Sequence, residues 1–179
     1  MRILMNWPNR LSIIRILSVP LLTVLLYASA PWCGWAALIV FVLACMTDFL
    51  DGHLARKNNW VTDFGKFIDP VADKLLVLSA LIMLIHLQLI PAWLVILILA
   101  RELSVDGLRL VAMTRGKVIA AGPLGKIKTA SQMIVISILL CFRTPLLSSW
   151  FGICMAVWVS GITLYSGIDY FRKNASILK

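Results

Sequence analysis

The chain reads as a succession of apolar runs at positions 13–31, 34–54, 67–89, 91–113, 126–142 and 147–170. Each is close to the roughly 20 residues that a helix needs to cross a bilayer core. Of the 179 residues, 61 % are hydrophobic, and the mean hydropathy is +0.94. A soluble globule carries an apolar share nearer one half, so water-soluble folds are excluded. The expectation is an all-α polytopic membrane protein. It has one domain over residues 1–179, six transmembrane helices, and both termini on one side of the membrane. The opening M-R-I-L-M-N-W-P-N-R is short, mixed and broken by Pro8. It is read as an interfacial segment ahead of the first span.

Basic residues set the orientation. Arg2, Arg10 and Arg15 precede or open the first run, and Arg56, Lys57 and Lys66 join the second to the third. Arg109, Arg115, Lys117, Lys126 and Lys128 surround the fourth connection, and Arg172, Lys173 and Lys179 close the chain, whereas the opposite loops hold only Arg143. By the positive-inside rule the termini face the cytoplasm, which predicts a multi-pass protein of the cell (inner, cytoplasmic) membrane. Trp32, Trp35, Trp93 and Trp150 then line the outer interface, and Trp7 and Trp60 the inner one. The net charge of +9 favours anionic lipid and phosphorylated substrates, with no nucleic acid as partner. Cys33, Cys45, Cys141 and Cys154 lack any C-x-x-C spacing and read as small buried hydrophobes without a disulfide. The first run starts like a signal peptide, but it is long and lacks a small-residue cleavage site, so it is expected to stay attached.

Half of the chain's eight acidic residues carry the chemistry. Asp48 and Asp51 are three apart, and Asp69 and Asp73 are four apart, so each pair shares one face of its own helix. Two such helices packed together bring four carboxylates to one point. Carboxylates gathered at a membrane boundary repel one another and are expensive to desolvate, so the cluster implies bound cations. Oxygen-only ligands suit Mg²⁺ or Mn²⁺, and four carboxylates can hold two such ions about 4 Å apart, the geometry of phosphoryl transfer. Pro70 is expected early in its helix, where a missing N–H is tolerated. Gly52 and Ala55 share the face of the first pair. Their lack of bulk admits either a nucleotide against the backbone or a closely packed neighbouring helix.

Asp48, Asp51, Gly52, Ala55, Arg56, Gly65, Asp69 and Asp73 together form D-x2-D-G-x2-A-R-x8-G-x3-D-x3-D. This resembles the signature of the CDP-alcohol phosphotransferases, integral membrane enzymes that make phospholipid head groups. The resemblance implies that Asp48, Asp51 and Asp69 ligate two divalent ions. It also implies that Asp73 ligates a metal and acts as the base that deprotonates the attacking alcohol. It places Gly52, Ala55, Arg56, Thr62 and Gly65 on the CDP-diacylglycerol donor, with Arg56 offering its guanidinium fork to the diphosphate. The segment N-W-P-N-R-L-S looks like the family's opening, in which a Pro-Asn pair and a hydroxyl residue touch the CDP group; Asn9 and Ser12 are equally readable as ordinary N-caps. Family resemblance also suggests a homodimer, with the sixth span contributing bulk.

A second polar cluster lies where charge is expensive. In A-R-E-L-S-V-D-G-L-R-L, the residues Glu102, Asp106 and Arg109 share a helical face beside Arg101. Glu102 and Asp106 read as members of an internal ion-pair network. Arg101, Arg109, Lys126 and Lys128 read as a basic pocket for a phosphate monoester. The G-K of G-P-L-G-K-I-K-T is not a Walker loop, since Ile127 follows Lys126 where a hydroxyl is needed. Both stretches look like the branch of the family that transfers to glycerol 3-phosphate. An inositol phosphate or phosphatidylglycerol is the alternative acceptor, and a divalent-cation or proton-coupled transporter is the alternative from another class. His53 and His86 have no partner set and read as bystanders.

Overall fold

The computed structural model describes residues 7–28, 30–58, 63–116, 119 and 122–175. The side chains of 7–9, 31, 48–58 and 63–67 lie outside that description. The described residues form six long helices: α1 (Trp7–Tyr27), α2 (Pro31–Asn58), α3 (Asp63–His86), α4 (Ala92–Thr114), α5 (Pro123–Phe142) and α6 (Trp150–Lys173). A short 3-10 turn at Leu146–Ser148 precedes α6. No strand occurs among the described residues. The chain divides into two compact units, Met1–His86 with Ile136–Arg143, and Leu87–Val135 with Thr144–Lys179.

In the first unit α1 is the central element, packing along both α2 and α3, which touch each other far less. Its inward stripe is Ser12, Arg15, Leu22 and Leu26. That of α2 is Cys33, Ala37, Phe41 and Ala44, and that of α3 is Ala72, Leu76, Ala80 and Leu84. Steps of three and four residues are those of one helical face. Alanine recurs on these stripes because lipid tails are as apolar as leucine. Helices in a bilayer therefore associate through close packing, which small residues permit. In the second unit α4 packs against α6. Val105, Leu108 and Ala112 of α4 are buried, as are Ala156, Val159, Thr163, Ser166 and Tyr170 of α6.

The outward faces are as apolar as the inward ones. Ile14, Leu17, Leu21 and Val24 of α1 are 50 to 66 % exposed, a surface suited to lipid. Among the described residues, three helices are long and apolar enough to cross a membrane: Arg10–Tyr27, Pro123–Phe142 and Trp150–Lys173. Trp32–Thr47 is a shorter apolar helix. Helices α3 and α4 are interrupted by their own charges, Asp69, Asp73 and Lys74 in one and Arg101, Glu102, Asp106 and Arg109 in the other.

Of the opening segment, residues 7–10 belong to α1, with Pro8 in the first turn, where its missing N–H belongs to the set that has no intrahelical acceptor anyway; residues 1–6 lie outside the described residues. One local expectation is corrected. Pro70 is not near its helix start but seven residues inside α3, because that helix begins at Asp63. An interior proline deprives the carbonyl four residues earlier of its donor. Pro20 does the same within α1. Around it Ser18 Oγ donates to the Arg15 carbonyl at 2.6 Å and Thr23 Oγ1 to the Val19 carbonyl at 2.9 Å, the hydroxyl-to-backbone bonding that helices in lipid use.

Ser149 caps α6, its side chain accepting from the Gly152 backbone N–H at 3.1 Å. The chain folds back so tightly there that a Cβ on Gly152 would overlap the Leu146 carbonyl, a backbone atom that cannot rotate aside. Gly152→Ala is therefore expected to destabilise the protein by about 1 to 3 kcal/mol, the usual cost of overpacking. Gly161 on the same helix has open space around it, and Gly161→Ala should be neutral or stabilising. Thermal unfolding of the two variants in one detergent checks the contrast.

Candidate functional site

Asp48 and Asp51 lie ten and seven residues before the end of α2, and Asp69 and Asp73 lie six and ten residues after the start of α3. These two helices belong to one compact unit and touch, and only four residues join them, so they form an antiparallel hairpin. At about 1.5 Å per residue, Asp51 and Asp69 stand about 10 Å from the joined helix ends, and Asp48 and Asp73 about 15 Å. The hairpin thus matches the four backbone positions in level, one from each helix. The side chains of Asp48 and Asp51 are outside the described residues, as are those of Asn9, Ala55 and Arg56 and the whole of Thr62. Gly52 follows Asp51 on α2, and Gly65 lies in the first turn of α3.

Ser12 and Asp69 are brought together across the unit. The Ser12 hydroxyl, fully buried on α1, donates to Asp69 Oδ1 on α3. Ser12 lies five residues inside α1, so it is not the N-cap of that helix; its observed partner is the Asp69 carboxylate. One hydroxyl occupies one of about four lone-pair positions on a carboxylate, leaving Asp69 with capacity for a cation. The donor set here is oxygen-only, which fits a hard divalent ion. Among the described residues no group of three or more potential metal ligands occurs, since only Asp69 and Asp73 of the four have described side chains. Arg15, one turn after Ser12, is also fully buried. It was read only as an orientation signal, although a cation within an apolar run is itself a mark of an internal polar site.

The second unit holds the basic residues, and their contacts divide them. Glu102 Oε1 accepts from Arg101 Nη1 at 3.1 Å and from Lys128 Nζ, so one carboxylate oxygen ties α4 to α5. Lys128 is 3 % exposed and Arg101 12 %. The Arg101 side chain lies where a Cβ on Gly167 would come within 3.2 Å of its Cγ and one on Gly125 within 3.7 Å of Nη2. Arg109 has a different partner: its Nε donates to Tyr170 Oη at 2.9 Å, and its Cζ lies 5.5 Å from the centre of that ring. Lys126 is exposed on α5. Glu102 is thus part of an ion-pair network, as expected. Nothing in the sequence marked Tyr170 as the partner of Arg109, because the sixth span read as bulk.

Helices apolar on their outer faces, with carboxylates and cations held among them, define an integral all-α membrane protein with internal polar sites. The chain belongs to the CDP-alcohol phosphatidyltransferase family, whose sequence model matches residues 5–163. It is 44 % identical to the CDP-diacylglycerol--glycerol-3-phosphate 3-phosphatidyltransferase of Bacillus subtilis (strain 168), over 97 % of each chain. It is 33 % identical to the protein of that name from Cereibacter sphaeroides, over 98 % of this chain and 99 % of the relative. A cardiolipin synthase (CMP-forming) of Oryza sativa subsp. japonica is 36 % identical over 98 % of this chain and 59 % of its own.

The shared carboxylate gives a stability test. Glu102→Gln keeps the shape but leaves two cations without their common anion. It should cost on the order of 3 kcal/mol, as breaking a buried pair from one side does. Adding Lys128→Met removes the more deeply buried of the two stranded charges, and the double variant should regain part of the loss in thermal unfolding measured in micelles.

Proposed function

We propose that this protein transfers the phosphatidyl group of CDP-diacylglycerol to glycerol 3-phosphate, releasing CMP and forming phosphatidylglycerol phosphate at the cytoplasmic face of the cell membrane. The observation that carries the proposal is near-full-length similarity to relatives named for that reaction, with the spacing of all four aspartates intact. The proposal has six membrane-spanning helices, cytoplasmic termini and a homodimer.

Asp48, Asp51, Asp69 and Asp73 are assigned as ligands of two Mg²⁺ or Mn²⁺ ions, and Ser12 holds the Asp69 carboxylate in place. Bound there, the cations would neutralise charge on the donor's diphosphate. Gly52, Ala55, Arg56, Thr62, Gly65 and Asn9 are assigned to the CDP end of the donor, whose acyl chains stay in lipid. Asp73 takes the proton of the acceptor hydroxyl. The alcohol oxygen then bonds to the phosphorus nearest the lipid as the bond from that phosphorus to CMP breaks. Arg101, Arg109, Lys126 and Lys128 are assigned to the acceptor's phosphate. Positioning and charge neutralisation supply most of the rate.

One observation favours a second acceptor, phosphatidylglycerol: the similarity to a relative named a cardiolipin synthase. Purified protein given CDP-diacylglycerol, Mg²⁺ and a panel of acceptors separates the two. CMP should appear with glycerol 3-phosphate, and little with phosphatidylglycerol, inositol phosphate or glycerol. Chelation of divalent ions should abolish release. Preference for phosphatidylglycerol would replace the first reading with the second.

Asp73→Asn is expected to keep donor binding while losing turnover. Asp48→Asn, Asp51→Asn and Asp69→Asn should lose turnover through loss of metal. CDP-diacylglycerol affinity measured beside CMP release distinguishes a base from a ligand: loss of both in Asp73→Asn would move the base elsewhere.

A further inference from the structure

We propose that Tyr170 is the positioning residue for Arg109, fixing its guanidinium so that the Nη1–Nη2 edge is presented to the acceptor's phosphate; this rests on the acceptor reading given above. Arginine offers five donors in a planar fork and binds phosphate through two of them at once. That edge can be Nε with one Nη, or the two Nη groups. In this structure the Tyr170 phenol takes Nε at 2.9 Å, which leaves the Nη1–Nη2 edge.

Three features make the phenol a rigid support. Tyr170 is 7 % exposed and packed with Val105, Leu108 and Ala112, with Phe171 and Ile119 against the cluster. Its ring also lies 5.5 Å from Arg109 Cζ, within range of a cation–π contact that sets the plane of the guanidinium. Both residues stand near the same ends of their helices, Arg109 five residues before the end of α4 and Tyr170 three before the end of α6. A water-soluble acceptor can reach such ends.

The partner's charge decides what the arginine can do. Arg101 is held by a carboxylate, which orients it and cancels charge together. A phenol orients without cancelling. Among the described residues the contacts of Arg109 are the phenol and its ring, so its positive charge remains for an anion. The assignment gives the acceptor's phosphate to Arg109, and gives Tyr170 no contact with the phosphate or the reacting atoms.

Tyr170→Phe removes Oη and keeps the ring. The expected result is an apparent KM for glycerol 3-phosphate raised about five- to tenfold, within the range of a lost hydrogen bond to a charged group. The inhibition constant of inorganic phosphate against that substrate should rise in parallel. The kcat, the KM for CDP-diacylglycerol and the unfolding temperature should stay close to wild type. Arg109→Ala should raise the same KM at least as much, and Tyr170→Phe added to it should change nothing further. If Arg109→Ala raises the KM and Tyr170→Phe does not, or if the two effects multiply, the positioning role of Tyr170 is overturned and the acceptor reading stands. If Arg109→Ala itself leaves the KM unchanged while CMP release persists, Arg109 is not at the acceptor and both fall.

Discussion

A charged or strongly polar side chain within an apolar helix has to be answered by another helix, because the bilayer offers it neither water nor counter-ion. Three contacts among the described residues obey that constraint. Ser12 of α1 meets Asp69 of α3. Glu102 of α4 meets Lys128 of α5, and Arg109 of α4 meets Tyr170 of α6. Each contact joins two helices of one compact unit. Helices gain little from hiding leucine from lipid, so these bonds specify the packing as well as equipping the site. Losing a charged partner of such a contact would disturb packing as well as the local electrostatics, whereas replacing tyrosine by phenylalanine removes one neutral hydroxyl and keeps the packed ring.

Small residues complete the same design. The alanines on the inward stripes of α2 and α3 let α1 approach both helices. Glycine serves a second purpose, making room for arginine. Gly125 and Gly167 border the Arg101 side chain, and a Cβ on Gly34 would come within 2.6 Å of Arg143 Nε. Arg143 itself closes α5 with a φ of 50°, its N–H bonded to the Leu139 carbonyl at 2.9 Å. Close passage of a long cationic side chain along a backbone needs a missing side chain opposite, and glycine supplies it.

Much of this was legible in the sequence, and the rest was not for physical reasons. Runs of apolar residues located the six helices, with ends shifted by up to six residues: several helices continue past their apolar run, as α1 does at its start and α2 at its end, while α1 and α3 end before theirs. The start of α3 at Asp63 moved Pro70 from a helix beginning to an interior. The pairing of the aspartates on two neighbouring helices was legible because spacings of three and four are a local signal. Ser12 could be read only as a cap or a contact to the CDP group, since its partner lies 57 residues away and the meeting is set by packing. Tyr170 escaped for the same reason, being 61 residues from Arg109 in a span whose composition is otherwise apolar. The basic residues read as one pocket because sequence reports charge and proximity along the chain, not which anion each cation has already met.

That last distinction sorts cations by what remains available to a ligand. An arginine paired with a carboxylate contributes to the fold through an attraction that a second anion must compete with, and displacing it exposes a buried charge. An arginine bonded to a phenol keeps its full charge while losing rotational freedom. Arg101 and Arg109 lie eight residues apart on α4, about 12 Å along the axis, and exemplify the two cases. Arg101 stands deeper, thirteen residues from the helix end, wedged beside Gly167 and tied to Glu102. Arg109 stands nearer that end, on a neutral support. On one helix the arginine farther from the end is neutralised by a carboxylate, and the arginine nearer the end keeps its charge.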